Sequence, residues 1–135
     1  MTDVSITAAN VKAGSNAIVD RSGNAGATVT AGEPVYKDAT SGKYKLSDCN
    51  ATGAKSCDGI ALNGASDGQP LAILKGGDIT IGGTLVAGTV YCVSATAGGI
   101  APQADITTGD DVIILGVAKS ASVLNVHIQT PGVTL

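Results

Sequence analysis

No window of helical length in this sequence repeats its apolar residues every 3.6 positions; short runs alternate instead, and glycine cuts them apart. The run "VLNVHIQ" (123–129) shows the pattern: Leu124, Val126 and Ile128 face one way, and Asn125, His127 and Gln129 face the other. Turn clusters rich in Gly recur at the 8–12-residue spacing typical of small β domains. An all-β chain is therefore expected, a small Gly-rich β-barrel or sandwich of about ten short strands.

The runs place the strands. "AIVD" (17–20) reads as a short strand and "RSGNAG" (21–26) as the turn after it. "EPVYKD" opens with Pro34, which suits a strand start or an edge. In "KYKLS", Tyr44 and Leu46 share a face, and "DCNATGAKSCD" (48–58) is unpatterned and reads as a loop. "GIAL" resumes a strand. "PLAILK" (70–75) is a strong strand, and "GG" at 76–77 has the length of a tight hairpin before "DITI", which puts Lys75 at a hairpin tip. "TVYCVS" (89–94) alternates, and "DVIILGVAK" (111–119) is a continuous apolar run of the kind buried on both faces. Residues 1–16 form an extended arm ahead of a single domain, 17–135, with Val4, Ile6 and Val11 as its apolar anchors. The arm could order on a neighbour's sheet edge; the plainer alternative is a frayed terminus.

The punctuation occurs twice. "AGEPVY" (31–36) returns as "AGTVY" (87–91), and "GIAL" at Gly59 returns as "GVAK" at Gly116. The first half closes with "LAILKGG" and the second with "VHIQTPG". Two similar halves related by an approximate twofold would give this pattern; chance likeness in a Gly/Ala-rich chain is the competing account.

Composition then bounds the function. The chain has 135 residues, 19 Gly, no Trp or Phe and three Tyr. Ordering each backbone residue costs roughly 1–2 kcal/mol, and small side chains return little apolar area at about 25 cal/mol per Å². A solitary monomer is expected to be marginal, and assembly would bury more apolar surface per chain. Net charge is −3 with 14% charged residues and no Lys/Arg run, which argues against nucleic acid as a partner. No apolar stretch reaches membrane-spanning length, so no membrane partner is expected, and "MTDVSITAAN" lacks the basic start and apolar core of a signal peptide.

Groups that could carry chemistry are few. His127, the single His, lies on the polar face of a strand and reads as solvated. Cys49, Cys57 and Cys92 contain no C-x-x-C pair, so a zinc site with His127 has little support. Cys49 and Cys57 flank a loop and could pair in an oxidising setting, while Cys92 reads as a small core residue. Asp110-Asp111 reads as a turn rather than a cation site, and "SGKY" and "TGAKS" both fail the P-loop pattern. Lys75 lacks the surroundings of a lipoyl-carrier lysine, and "NAT" (50–52) is a sequon by letter only. Tyr36, Tyr44 and Tyr91 are too few for a sugar-stacking platform and suit packing roles. No catalytic, cofactor-binding or metal-binding residues are expected.

Three segments, "AGEPVYKD", "GIALNGASDGQPLAILKGGDITIGGTLVAGTVYCVSATAGGIAP" and "TTGDDVIILGVAKSASVLNVHIQTPGV", resemble the small Gly/Ala-rich capsid decoration (cement) proteins of tailed bacteriophages. The resemblance covers roughly residues 17–133 and rests on turns and strands, not on a catalytic signature. It implies a non-enzymatic virion protein without cofactors, made in the host cytoplasm and placed on the outer surface of the capsid. There it would clamp neighbouring copies of the major capsid protein, typically as a homotrimer. The arm would then supply capsid contacts through Val4, Ile6 and Val11. A glycan- or receptor-binding β module of a phage fibre or bacterial surface is the alternative.

Overall fold

The computed structural model describes residues 3–135; the first two residues of the expected arm, Met1 and Thr2, lie outside the described residues. The described residues contain no α-helix. Ten strands join in one antiparallel sheet that curls into a half-barrel. They are β1 (Lys12–Ala13), β2 (Ile18–Asn24), β3 (Pro34–Lys37), β4 (Tyr44–Leu46), β5 (Gly59–Ala61), β6 (Pro70–Thr80), β7 (Val90–Val93), β8 (Ile100–Pro102), β9 (Ile114–Ala118) and β10 (Val123–Gln129).

Hydrogen bonding runs β4-β3-β5-β6-β10-β9-β7-β8, with β1 and β2 also paired to β6. Read from its two ends, this order is the same: β3, β4, β5 and β6 correspond to β7, β8, β9 and β10, and the halves meet where β6 pairs with β10. The register confirms the repeat residue by residue. Val35 pairs with Leu46 and Gly59, as Tyr91 pairs with Pro102 and Gly116. Ile60 pairs with Leu74 and Ala61 with Ile73, as Val117 pairs with Asn125 and Ala118 with Leu124. The "AG" turns match, with Gly32 at φ 94° and Gly88 at φ 84°, but the two Val-Tyr pairs are one residue out of step. Val35 corresponds to Tyr91, and both are buried.

The repeated Gly of "GIAL" and "GVAK" has the same cause in both halves. A Cβ on Gly59 would sit 2.8 Å from the Leu74 carbonyl oxygen, and one on Gly116 would sit 2.0 Å from the Asn125 carbonyl oxygen. Leu74 and Asn125 are themselves corresponding residues, so the repeat reaches the atomic contact between strands.

Two apolar clusters form the core. The larger gathers Ile60, Leu74, Ile79, Tyr91, Ile100, Leu115, Leu124 and their neighbours; the smaller gathers Ala25, Val29, Val35, Tyr44, Ala61, Leu71 and Ile73. Successive residues of β5 and β6 enter opposite clusters, Ile60 and Leu74 one, Ala61 and Ile73 the other. These strands are thus buried on both faces, which is why they read as unbroken apolar runs.

Three local expectations change. "GG" at 76–77 is not a hairpin, because β6 runs straight through it from Pro70 to Thr80. Gly77 has φ 92°, and a Cβ there would lie 2.5 Å from the Asn16 carbonyl oxygen and 2.8 Å from the Ala17 Cα, so Gly77 lets the link between β1 and β2 pass over the strand. Lys75 is accordingly an exposed mid-strand residue, not a tip. "RSGNAG" does not turn at once; β2 continues to Asn24 and absorbs the irregularity as register shifts against β6. In "DVIILGVAK" the strand begins only at Ile114, and Val117 is 42% exposed.

Candidate functional site

The polar groups singled out from the sequence do not converge. His127 is exposed on β10, opposite Gly76. Cys49, Cys57 and Cys92 are free, buried thiols; burial pushes Cys49 and Cys57 up to about 12 and Cys92 up to about 11. The Cys57 thiol donates to the Gly59 carbonyl oxygen at 3.4 Å. Among the described residues, no group of three or more His, Cys, Asp or Glu side chains is placed to hold a metal ion. Asp110 is buried and closes a turn, accepting from Thr107 N at 3.0 Å, while Asp111 accepts from Thr134 Oγ1 at 2.6 Å.

Asp78 ties together residues far apart in the chain. Its Oδ2 accepts from Lys119 Nζ at 2.7 Å and its Oδ1 from Asn125 Nδ2 at 2.8 Å, while its backbone N–H donates to Asn16 Oδ1 at 2.9 Å. Hydrogen bonding from Lys119, then Asn125, holds this carboxyl below the usual carboxylate range. The arrangement clamps the β1–β2 link, β6 and β10 together.

The arm anchors lie against the chain's own body. Val4, Ile6 and Val11 are half-buried and pack on the larger cluster. Ile6 and Val11 meet over Gly32, and Val4 lies over Gly83.

What stands out is a difference between the two halves. Residues paired directly across strands share a sheet face, so Pro34, Ile60 and Leu74 form one row and Val90, Val117 and Asn125 form the corresponding row. All of the first row is buried. In the second row Val90 and Asn125 are half-buried and Val117 is open. Nearby, Val86 is 66% exposed on a turn tied to β9 by the Gly88 N–H donating to the Ala118 carbonyl oxygen at 2.8 Å. A shallow groove of about 560 Å³, lined by Gly88, Thr89, Val90, Pro102, Gln103 and Ala104, borders the row. Sequence reasoning missed this surface, because Val117 sits inside an apolar run. The hint was there in the repeat: the position matches Ile60, so only its partner across the sheet distinguishes them.

The row presents two valines and ends at Asn125, which leads to the Asp78–Lys119 pair. Such a face can dock against a complementary surface. Compared with protein-family models, curated proteins and solved structures, the chain shows no match.

Proposed function

We propose that this chain is a structural, non-catalytic module that decorates a tailed-phage capsid, clamping neighbouring major capsid subunits from the outer surface as a homotrimer. The observation that carries the reading is the open Val90–Val117–Asn125 row, whose counterpart in the other half is wholly buried. A half-domain whose twin face is covered has the shape and chemistry to take a cover from outside. The resemblance of the turn-and-strand pattern to capsid decoration proteins supports the choice of partner, and the scarcity of large side chains supports a role within an assembly. Weak contacts repeated by symmetry then add up to firm attachment.

Co-sedimentation of the purified chain with expanded capsid shells lacking it tests the reading. Wild-type protein binds, and Val117→Gln, which keeps the strand and removes the apolar contact, binds about tenfold more weakly, a loss of about 1.4 kcal/mol. Binding to a glycan array with none to shells would transfer the reading to a glycan- or receptor-binding module.

A further inference from the structure

The residues ahead of β1 lie in a seat whose floor is backbone. The Val4 N–H donates to the Ile100 carbonyl oxygen and the Thr7 N–H to that of Gly82, both at 2.8 Å. Ser94 Oγ donates to Asp3 Oδ1 at 2.6 Å. A Cβ on Gly83 would lie 2.5 Å from the Ser5 carbonyl oxygen, and one on Gly82 equally close to that of Thr7. The seat therefore fits an extended strand and closes to anything if those glycines gain side chains.

Two observations bear on which chain supplies that strand. Tyr44 and Ile100 are corresponding residues at the two ends of the sheet. The Tyr44 carbonyl accepts from the Gly26 N–H at 2.7 Å, as the Ile100 carbonyl accepts from Val4. In the first half the capping segment continues directly from β2. In the second half it comes from the other end of the sequence and is tied to the domain only through the short link from Ala8 to β1. The connection is also weak. Ala8–Asn10 form one 3-10 turn, all three exposed and without a side-chain cap, held by Asn10 N–H to Thr7 O at 3.0 Å and Val11 N–H to Ala8 O at 3.2 Å. Opening it breaks two local bonds and extends the chain by up to about 3.3 Å per residue.

We infer that residues 3–7 are an exchangeable strap that leaves the seat of its own chain and fills the same seat on a second copy. Every seat contact is kept in the exchanged form, because donor and acceptor atoms are identical. The cost is the opened turn and the loss of free tumbling, which falls when copies stand side by side. The inference concerns the purified chain alone, so its test is independent of capsid binding.

The test pairs Asp3→Cys with Ser94→Cys, positions whose side chains touch across the seat without filling a glycine. The native thiols are buried and leave the engineered pair to react. Oxidation at rising protein concentration should give covalent species at multiples of 13.1 kDa on a non-reducing gel, with neither single variant doing so. A disulfide formed wholly within monomers at every concentration would overturn the inference. Deleting Ala8 and Ala9 supplies a second reading without engineered thiols. The shortened link strains the closed form, so sedimentation should show a shift to a stable oligomer; a folded monomer would overturn the inference equally.

Discussion

Replacing Gly116 with Ala tests the claim that the repeat is enforced by contact between strands. Alanine normally gains about 0.4–1 kcal/mol over glycine where the backbone conformation suits it, by restricting the unfolded chain. The φ of Gly116 lies outside the left-handed region, so conformation alone predicts that gain. Geometry reverses it. The new Cβ would stand 2.0 Å from the Asn125 carbonyl oxygen, so β9 and β10 must part by more than about 1 Å. A ladder bond of about 2.9 Å stretched that far is lost, at about 0.5–1.5 kcal/mol each, and repacking the buried neighbours adds about 1–3 kcal/mol. With the alanine gain subtracted, the net loss is about 0.5–4 kcal/mol, centred near 2. Gly59→Ala, with 2.8 Å to the Leu74 carbonyl oxygen, needs roughly half the movement and should lose about 1–2 kcal/mol. Gly64→Ala is the control, since its nearest neighbour, the Val29 carbonyl oxygen, is 3.7 Å away. Guanidinium unfolding should order the midpoints Gly64→Ala, Gly59→Ala, Gly116→Ala from highest to lowest, with unchanged slope. A Gly116→Ala protein that unfolds at or above the midpoint of the control refutes the contact argument.

Two titrations follow from the buried and paired groups. Asp78 has a depressed carboxyl in the fold, so its contribution is present above the unfolded value near 4 and is lost as pH falls through the folded one. Acid unfolding of Asp78→Asn should therefore be less steep with pH than wild type, and an identical acid limb would remove the Lys119–Asn125 clamp from the account. The three buried thiols are raised, so the unfolded chain ionises first and stability should fall from about pH 9 towards about 12. Ellman's reagent should label none of them in the native protein at pH 8 and all three in denaturant; rapid native labelling would contradict their burial.

Much of the fold was legible because the relevant forces are local. The alternation of "VLNVHIQ" places Leu124 and Val126 inside and His127 outside, and β10 follows it. Pro34 does begin a strand, and 48–58 carries no strand. The repeat was visible in its glycines, since turn conformation and strand contact both select that residue. Its register was not, because the letters Val-Tyr match one position away from the residues that correspond, and only cross-strand pairing reveals this. The "GG" of 76–77 failed for a related reason: two glycines signal a reversal of the chain or a chain crossing over a strand, and a distant segment decides which.

By itself the sequence determined the all-β class, the places of most strands and the want of bulky side chains, and it raised two like halves as one of two accounts of the repeated glycines. These follow from side-chain period, φ preference and volume, which each residue carries wherever it goes. Only the tertiary structure decided which of two equivalent rows is covered, that Val4, Ile6 and Val11 turn onto their own domain, and that Ile60 is buried while Val117 is open. Those outcomes depend on what lies across the sheet, which is set by contacts between residues far apart in the chain.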